Sequence, residues 1–212
     1  MIKWGIIGAG NIAHRFARSL AFEEDAQLYA ISGRNAQKLQ QFQDEFPCEK
    51  TYTDFEEILK DENIDAVYIA LPHHMHKEWA VKALQAHKAV LSEKPAVMRR
   101  EEMQEIAVTA KQENVLYMEA MKSRFVPAWG KIREIIAEGS IGEILSVEAE
   151  NCFLLPQQMY GKTYHTKPGV GGALLDSGCH WVNWINAYLE GDPVIEKAYA
   201  NVRDGVDYYV DV

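Results

Sequence analysis

Three short stretches of the chain carry residue types at spacings that chemistry can use. The first is Gly8-Ala9-Gly10-Asn11-Ile12-Ala13, a G-x-G-x-x-A motif between an apolar run and an amphipathic stretch. In that setting the first glycine permits a tight turn and the second lets a pyrophosphate approach the backbone. The alanine permits close packing of helix on strand. The unpaired N–H groups and partial positive charge of the helix start, at Asn11 and Ile12, would hold the phosphates of a dinucleotide. An acidic residue roughly 20 positions further on would bond the adenosine ribose of NAD. The chain reads Ser32-Gly33-Arg34-Asn35 there, with no carboxylate. Ser32 by hydrogen bond and Arg34 by charge suit a 2′-phosphate, and the guanidinium can stack on adenine. Arg34 as a solvated loop residue is the alternative. The pattern predicts NADP in preference to NAD, with NAD the second choice.

The second stretch is Glu93-Lys94-Pro95, after the apolar run Ala89–Ser92. It falls at the carboxyl edge of the sheet, where open α/β sheets bind ligands. Lys94 there could give a proton to a carbonyl oxygen or hold an alcohol oxygen. An ordinary surface lysine before a proline turn reads the same way. The third stretch runs from Gly171 to His180. On a helix Asp176 and His180, at i and i+4, share a face. The carboxylate would orient the imidazole or raise its proton affinity, suiting it to acid–base work near neutral pH. A satisfied core polar pair is the alternative, and Cys179 reads as a packing residue. His73, His74 and His76 invite a metal, but neighbours on a turn diverge and three or four convergent ligands are needed. No metal is expected. Pro72 and His73 are expected to line the nucleotide cleft, with His76 near the start of a helix Lys77–Ala86.

The elements that must position these residues follow from periodicity. Apolar runs at Lys3–Ile7, Gln27–Ile31, Ile64–Leu71, Ala89–Ser92 and Val115–Met118 read as strands. Amphipathic stretches lie between them, including Ile12 to Leu20, a helix opened by a capping box Thr53-Asp54-Phe55-Glu56, and Glu101 to Gln112. The alternation predicts right-handed βαβ units: a doubly wound parallel sheet of Rossmann type over residues 1–121. Residues 122–212 read as an α+β substrate domain. Its expected parts are a helix Pro127–Glu138 stopped by Gly139, a strand-like run Ile144–Leu155 and an apolar helix Gly172–Glu190 ended by Gly191. Strands at Val194–Ala200 and Val206–Val212 follow, joined by an Arg203-Asp204-Gly205 turn. A three-stranded remnant with a raw edge is an unusual place to stop, so this domain is expected to be incomplete.

Composition narrows the function classes. Of 212 residues 48% are hydrophobic, ample for a core, and the formal net charge is −9. That argues against nucleic acid or an anionic membrane surface as partner. No window approaches the about 18 consecutive apolar residues of a membrane span, and the N-terminus does not read as a signal peptide. Cys48, Cys152 and Cys179 show no CxxC spacing, which fits a reducing cytoplasm.

Taken together, Gly8–Ala13, Ile69-Ala70-Leu71-Pro72 with His76, Val90 to Pro95, and Gly171–His180 resemble the Gfo/Idh/MocA family. Met118-Glu119-Ala120, Arg124 to Pro127 and Gly172 to Asp176 are most similar to its dimeric dihydrodiol dehydrogenase branch. The resemblance implies that Lys94 contacts substrate and nicotinamide ribose, and that His180, beside Asp176, is the proton donor or acceptor. Leu71, His76, Glu93 and Arg124 are counted with the cofactor site. The dihydrodiol branch is expected to carry tyrosine where this chain has His180, and His87 replaces a glycine usual before Lys88. Family members continue further, through a sheet that also forms a dimer face, so the resemblance implies a homo-oligomer at full length. The expected activity is hydride transfer between NADP(H) and a small sugar, polyol or diol. A non-catalytic nucleotide sensor on the same fold, or transient oxidation serving hydrolysis or elimination, are the competing readings.

Overall fold

The structure is a computed structural model that describes residues 1–189 and 193–212. It divides into two compact units, Met1–Ala120 and Met121–Val212.

The first unit is α/β. Its strands are β1 (Ile2–Ile7), β2 (Ala26–Ser32), β3 (Lys50–Tyr52), β4 (Ala66–Ile69), β5 (Ala89–Ser92) and β6 (Tyr117–Glu119). They are interleaved with helices α1 (Asn11–Leu20), α2 (Ala36–Glu45), α3 (Phe55–Lys60), α4 (His76–Gln85) and α5 (Arg100–Glu113). All strand pairs are parallel, in the order β3-β2-β1-β4-β5-β6. The order reverses between β1 and β4, where doubly wound sheets bind their ligands. Alternation along each strand feeds two cores, one on each face. Ile6, Ile31 and Tyr68 pack with Ala13, Leu39 and Phe42. Ile7, Ala30, Val67 and Ile69 pack with Ile58, Trp79, Leu84 and Ile106. Sheets buried on both faces give the continuous apolar runs seen in the sequence.

Some local readings change. β3 has two exposed residues and no apolar run, so nothing in its sequence announces it. α2 is mostly polar, buries Leu39 and Phe42, and starts where the Asn35 side chain accepts the Lys38 N–H at 3.0 Å. The cap of α3 is Asp54 rather than Thr53, its carboxylate accepting the Glu56 N–H at 2.9 Å. At the end of α4, His87 takes the left-handed conformation, φ 55°, that glycine adopts without steric cost.

In the second unit a 3-10 turn, Lys122–Phe125, leads into α6 (Pro127–Ala137), with proline in the first turn where its missing N–H costs nothing. Gly139, φ 70°, follows the helix, as expected of an αL stop. The strand expected at Ile144–Leu155 is not formed. Leu145 and Leu154 are almost fully exposed, and no described strand pairs with the segment. Hydrophobic alternation alone does not hold a strand whose backbone groups lack a partner. The apolar helix is composite, a π-helical turn Leu174–Gly178 followed by α7 (Cys179–Tyr188). Its expected end at Glu190 and Gly191 lies outside the described residues. β7 (Tyr199–Arg203) starts later than the expected Val194, and β8 (Val206–Asp211) pairs with it antiparallel. Among the described residues the sheet has two strands rather than three. Asp204 and Gly205, at φ 51° and 76°, form the turn with the mirror-image twist that suits a two-residue hairpin.

Candidate active site

The glycine turn sits at the carboxyl end of β1. Gly8 has φ 106°, and any Cβ there would collide with the carbonyl of Ala70 after β4, so glycine is dictated twice over. Gly10 is different: a Cβ there would meet nothing within 4 Å. Its side-chain position opens onto free space at the N-terminus of α1, which has no side-chain cap and no acidic residue in its first turn. Bare N–H groups, a positive helix end and open approach fit an anionic pyrophosphate.

At the end of β2 the two residues assigned to a 2′-phosphate part company. Ser32 is fully buried, its hydroxyl 3.3 Å from the Ile6 carbonyl that it bonds, so it cannot face a ligand. Ser32 is the last residue of β2, whose end is buried on both faces, whereas Arg34 lies beyond the strand, exposed in the loop before α2. Arg34 alone remains for that role.

The loop after β5 is tied on every side. The Tyr68 hydroxyl donates to Glu93 Oε1 at 2.5 Å, and the Lys94 N–H donates to Glu93 Oε2 at 3.2 Å. The Ala96 N–H donates to Glu119 Oε1 at 2.7 Å. The Lys94–Pro95 peptide is cis. His76 is fully buried, with Nδ1 2.8 Å from the Pro95 carbonyl and Nε2 2.7 Å from the Leu71 carbonyl. It therefore joins the loops after β4 and β5 rather than reaching a cofactor. Burial pushes its pKa down, toward the neutral ring, which has one N–H for two acceptors. Burial, and then the charge of Glu93 beside it, push the Tyr68 hydroxyl well above its ordinary range, so it stays a donor. His73 is also buried, edge-on to His76, and offers a ligand almost no side-chain surface. Leu71 and Pro72 are half-buried, as are Glu93 and Lys94. The sequence marks Glu119 only within the Met118-Glu119-Ala120 resemblance and Tyr68 not at all. An acid on β6 and a tyrosine on β4 have no local pattern linking them to residues 93–96.

In the second unit Asp176 lies in the π turn and His180 is the second residue of α7, so the pair does not sit on one regular α-helix. Asp176 Oδ2 lies 3.1 Å from Nδ1 of His165, a residue the sequence did not mark. Arg124 is exposed; its Nε donates to Asn183, and its guanidinium lies 5.6 Å from the Trp129 ring centroid. It lines an open recess of about 380 Å³ with Trp129, Arg133 and Asn186. Among the described residues no helix is long and apolar enough to cross a membrane.

A parallel sheet of this order with a glycine-built anion cradle at its switch point defines a dinucleotide-binding fold. Residues 2–121 match the oxidoreductase family with an NAD-binding Rossmann fold, and residues 129–212 match the GFO/IDH/MocA C-terminal domain. The chain belongs to the Gfo/Idh/MocA family. The trans-1,2-dihydrobenzene-1,2-diol dehydrogenase of Xenopus tropicalis is 34% identical over 195 residues, covering 90% of this chain and 57% of that protein. The enzyme of the same name from Mus musculus is 34% identical, covering 87% and 55%. Thus the chain spans a little over half the length of these curated relatives. Among solved structures, KijD10, a 3-ketoreductase from Actinomadura kijaniata in complex with TDP-benzene and NADP, superposes with a TM-score of 0.79. It is 29% identical and covers 94% of this chain and 60% of its own. The scyllo-inositol dehydrogenase of Lactobacillus casei, with bound NAD(H) and scyllo-inositol, gives a TM-score of 0.64 at 28% identity, covering 68% and 43%.

Proposed function

We propose that the protein is an NADP(H)-preferring oxidoreductase acting on a small hydroxylated compound of the sugar, polyol or diol class. The observation that carries this reading is the Lys94 loop. It is clamped by Tyr68, His76 and Glu119 at the same carboxyl edge of the sheet as the open glycine turn. A bound nicotinamide supplies hydride exchange with the substrate carbon. Asn11, Ile12 and Gly10 would bind its pyrophosphate through backbone N–H groups at the start of α1, Gly8 making the turn with its own N–H on the Ser32 carbonyl at 2.8 Å, and Arg34 would hold the 2′-phosphate. Lys94 holds the substrate oxygen and exchanges a proton with it, and His180 shares that acid–base role with Asp176 as its charged support. The relatives named as diol and inositol dehydrogenases support the substrate class. The free thiols of Cys48, Cys152 and Cys179 support a cytoplasmic setting, and the family resemblance a homo-oligomer.

The test is a fluorescence titration with NADPH and NADH, followed by turnover of trans-1,2-dihydrobenzene-1,2-diol and scyllo-inositol. Tighter NADPH binding with cofactor reduction by either compound is expected. Binding of NADPH without turnover of any hydroxylated substrate would favour a nucleotide sensor, and equal affinity for both cofactors would remove Arg34 from the 2′-phosphate.

A further inference from the structure

Asp176 sits in a π-helical turn, Leu174–Gly178. Such turns add a residue to the helical ladder, re-aim the side chains they carry and recur at functional sites. This one is built on close approaches that explain the two glycines before it. A Cβ on Gly171 would overlap the His165 carbonyl, and the Gly172 N–H donates to that same oxygen at 3.0 Å. Gly172 has φ 124°, and a Cβ there would overlap the carboxylate of Asp207 on β8. The other oxygen of that carboxylate accepts the Leu174 N–H at 2.8 Å. The glycines thus let the segment bearing His165 lie directly against the start of the Asp176 turn.

That segment is itself well fixed. The buried Thr166 hydroxyl accepts the Gly161 N–H at 2.9 Å and lies 3.1 Å from the Thr163 carbonyl. The Tyr164 ring packs on His165 with centroids 3.8 Å apart. Nδ1 of His165 is withdrawn from solvent and lies 3.1 Å from Asp176 Oδ2, close but outside hydrogen-bond alignment.

We propose that His165 is a positioning residue for Asp176, holding its carboxylate in place through Nδ1. The proposal rests on the reading of Asp176 as part of the acid–base machinery. The imidazole edge fills the space beside Oδ2 and fixes where the carboxylate sits on the π turn.

The experiment is a double-mutant cycle of His165→Gln and Asp176→Asn, read as kcat with NADP⁺ and trans-1,2-dihydrobenzene-1,2-diol. Each single variant is expected to lose at least about tenfold in kcat, the double variant no more than the worse single, with NADPH affinity unchanged in all. His165→Asn, whose amide can place an N–H near the position of Nδ1, should recover several-fold over His165→Ala. Additive losses, or full activity in His165→Ala, would overturn the proposal. Should the wild-type protein not turn over the diol or scyllo-inositol, the reading of activity has failed, and ¹⁵N imidazole spectra at pH 8 decide the pair independently. The ring signal missing from His165→Gln must show Nδ1 protonated, and must change in Asp176→Asn. An unprotonated Nδ1, or no response to Asp176→Asn, refutes the pairing.

Discussion

Lys94 is a half-buried side chain on an inflexible loop, and the loop makes it useful. Its backbone N–H and the backbone atoms of Pro95 and Ala96 are bonded to Glu93, His76 and Glu119. Lys94→Ala should therefore reduce turnover by about 10²-fold or more while leaving NADPH affinity near wild type. Retention of turnover in stopped-flow assays would remove the lysine from proton handling. Arg34→Ala should weaken NADPH by roughly ten- to a hundredfold, the loss of about 1.5–3 kcal/mol for a charge-assisted contact, and NADH hardly at all. Parallel titrations check this, and equal losses would reassign the ribose site. At this scale the sequence is readable where chemistry and local pattern coincide, as at Gly8, Gly10 and Lys94. It is silent where a residue works through the fold. Ser32 has the right chemistry, but a sheet covered on both faces buries it; His165 has it too, but lies in an aperiodic loop eleven positions before its partner.

Among the elements, the turn from α3 to β4 is held by one buried carboxylate. Asp61 takes Lys50 Nζ at 2.8 Å, the Tyr52 hydroxyl at 2.7 Å and the Asn63 N–H at 3.0 Å. Burial alone would raise its pKa, but these donors, led by Lys50, hold it well below the usual carboxylate range. The folded protein thus resists protonating Asp61, and the unfolded chain does not. The resulting stability is present above about pH 4, the ordinary aspartate pKa, and is lost as pH falls below it. Urea unfolding should become steeply easier from pH 5 to pH 3 in the wild-type protein and less so in Asp61→Asn; parallel pH profiles would exclude the carboxylate. Lys88 supports the same turn, its buried Nζ donating to the carbonyls of Asp61 and Ile64, each at 2.8 Å. Lys88→Met should cost about 1–3 kcal/mol through unpaired buried carbonyls, measured by chemical denaturation. Buried strands were readable as elements because both faces demand apolar residues. β3 was not, being short and half polar, and Ile144–Leu155 misled because its alternation has no described strand to pair with.

For the molecule as a whole, the two family models divide the chain much as its contacts do, one on residues 2–121 and one on 129–212. The glycine turn and Arg34 lie in the first unit, so cofactor should stabilise that unit directly. NADPH at about one hundred times its dissociation constant should add about 2.7 kcal/mol, seen in calorimetry as an upward shift of unfolding temperature. NADH at the same concentration should shift it less. An unchanged transition would mean that the anion cradle holds no dinucleotide. The doubly wound parallel class of the first unit followed from its alternating grammar. The second unit was harder to read because a π turn and a long irregular segment have no periodic signature.

Arg34 occupies the surface between two structural residues, the buried Ser32 and the helix-capping Asn35. No described residue bonds its guanidinium, so the fold asks nothing of its identity. Cofactor preference, on the reading proposed here, is then separable from foldability: a lineage could drift from phosphorylated to unphosphorylated dinucleotide through this codon alone. Arg34→Asp should leave the unfolding midpoint within about 0.5 kcal/mol of wild type while favouring NADH. A substantial loss of stability would show that preference and folding are entangled after all.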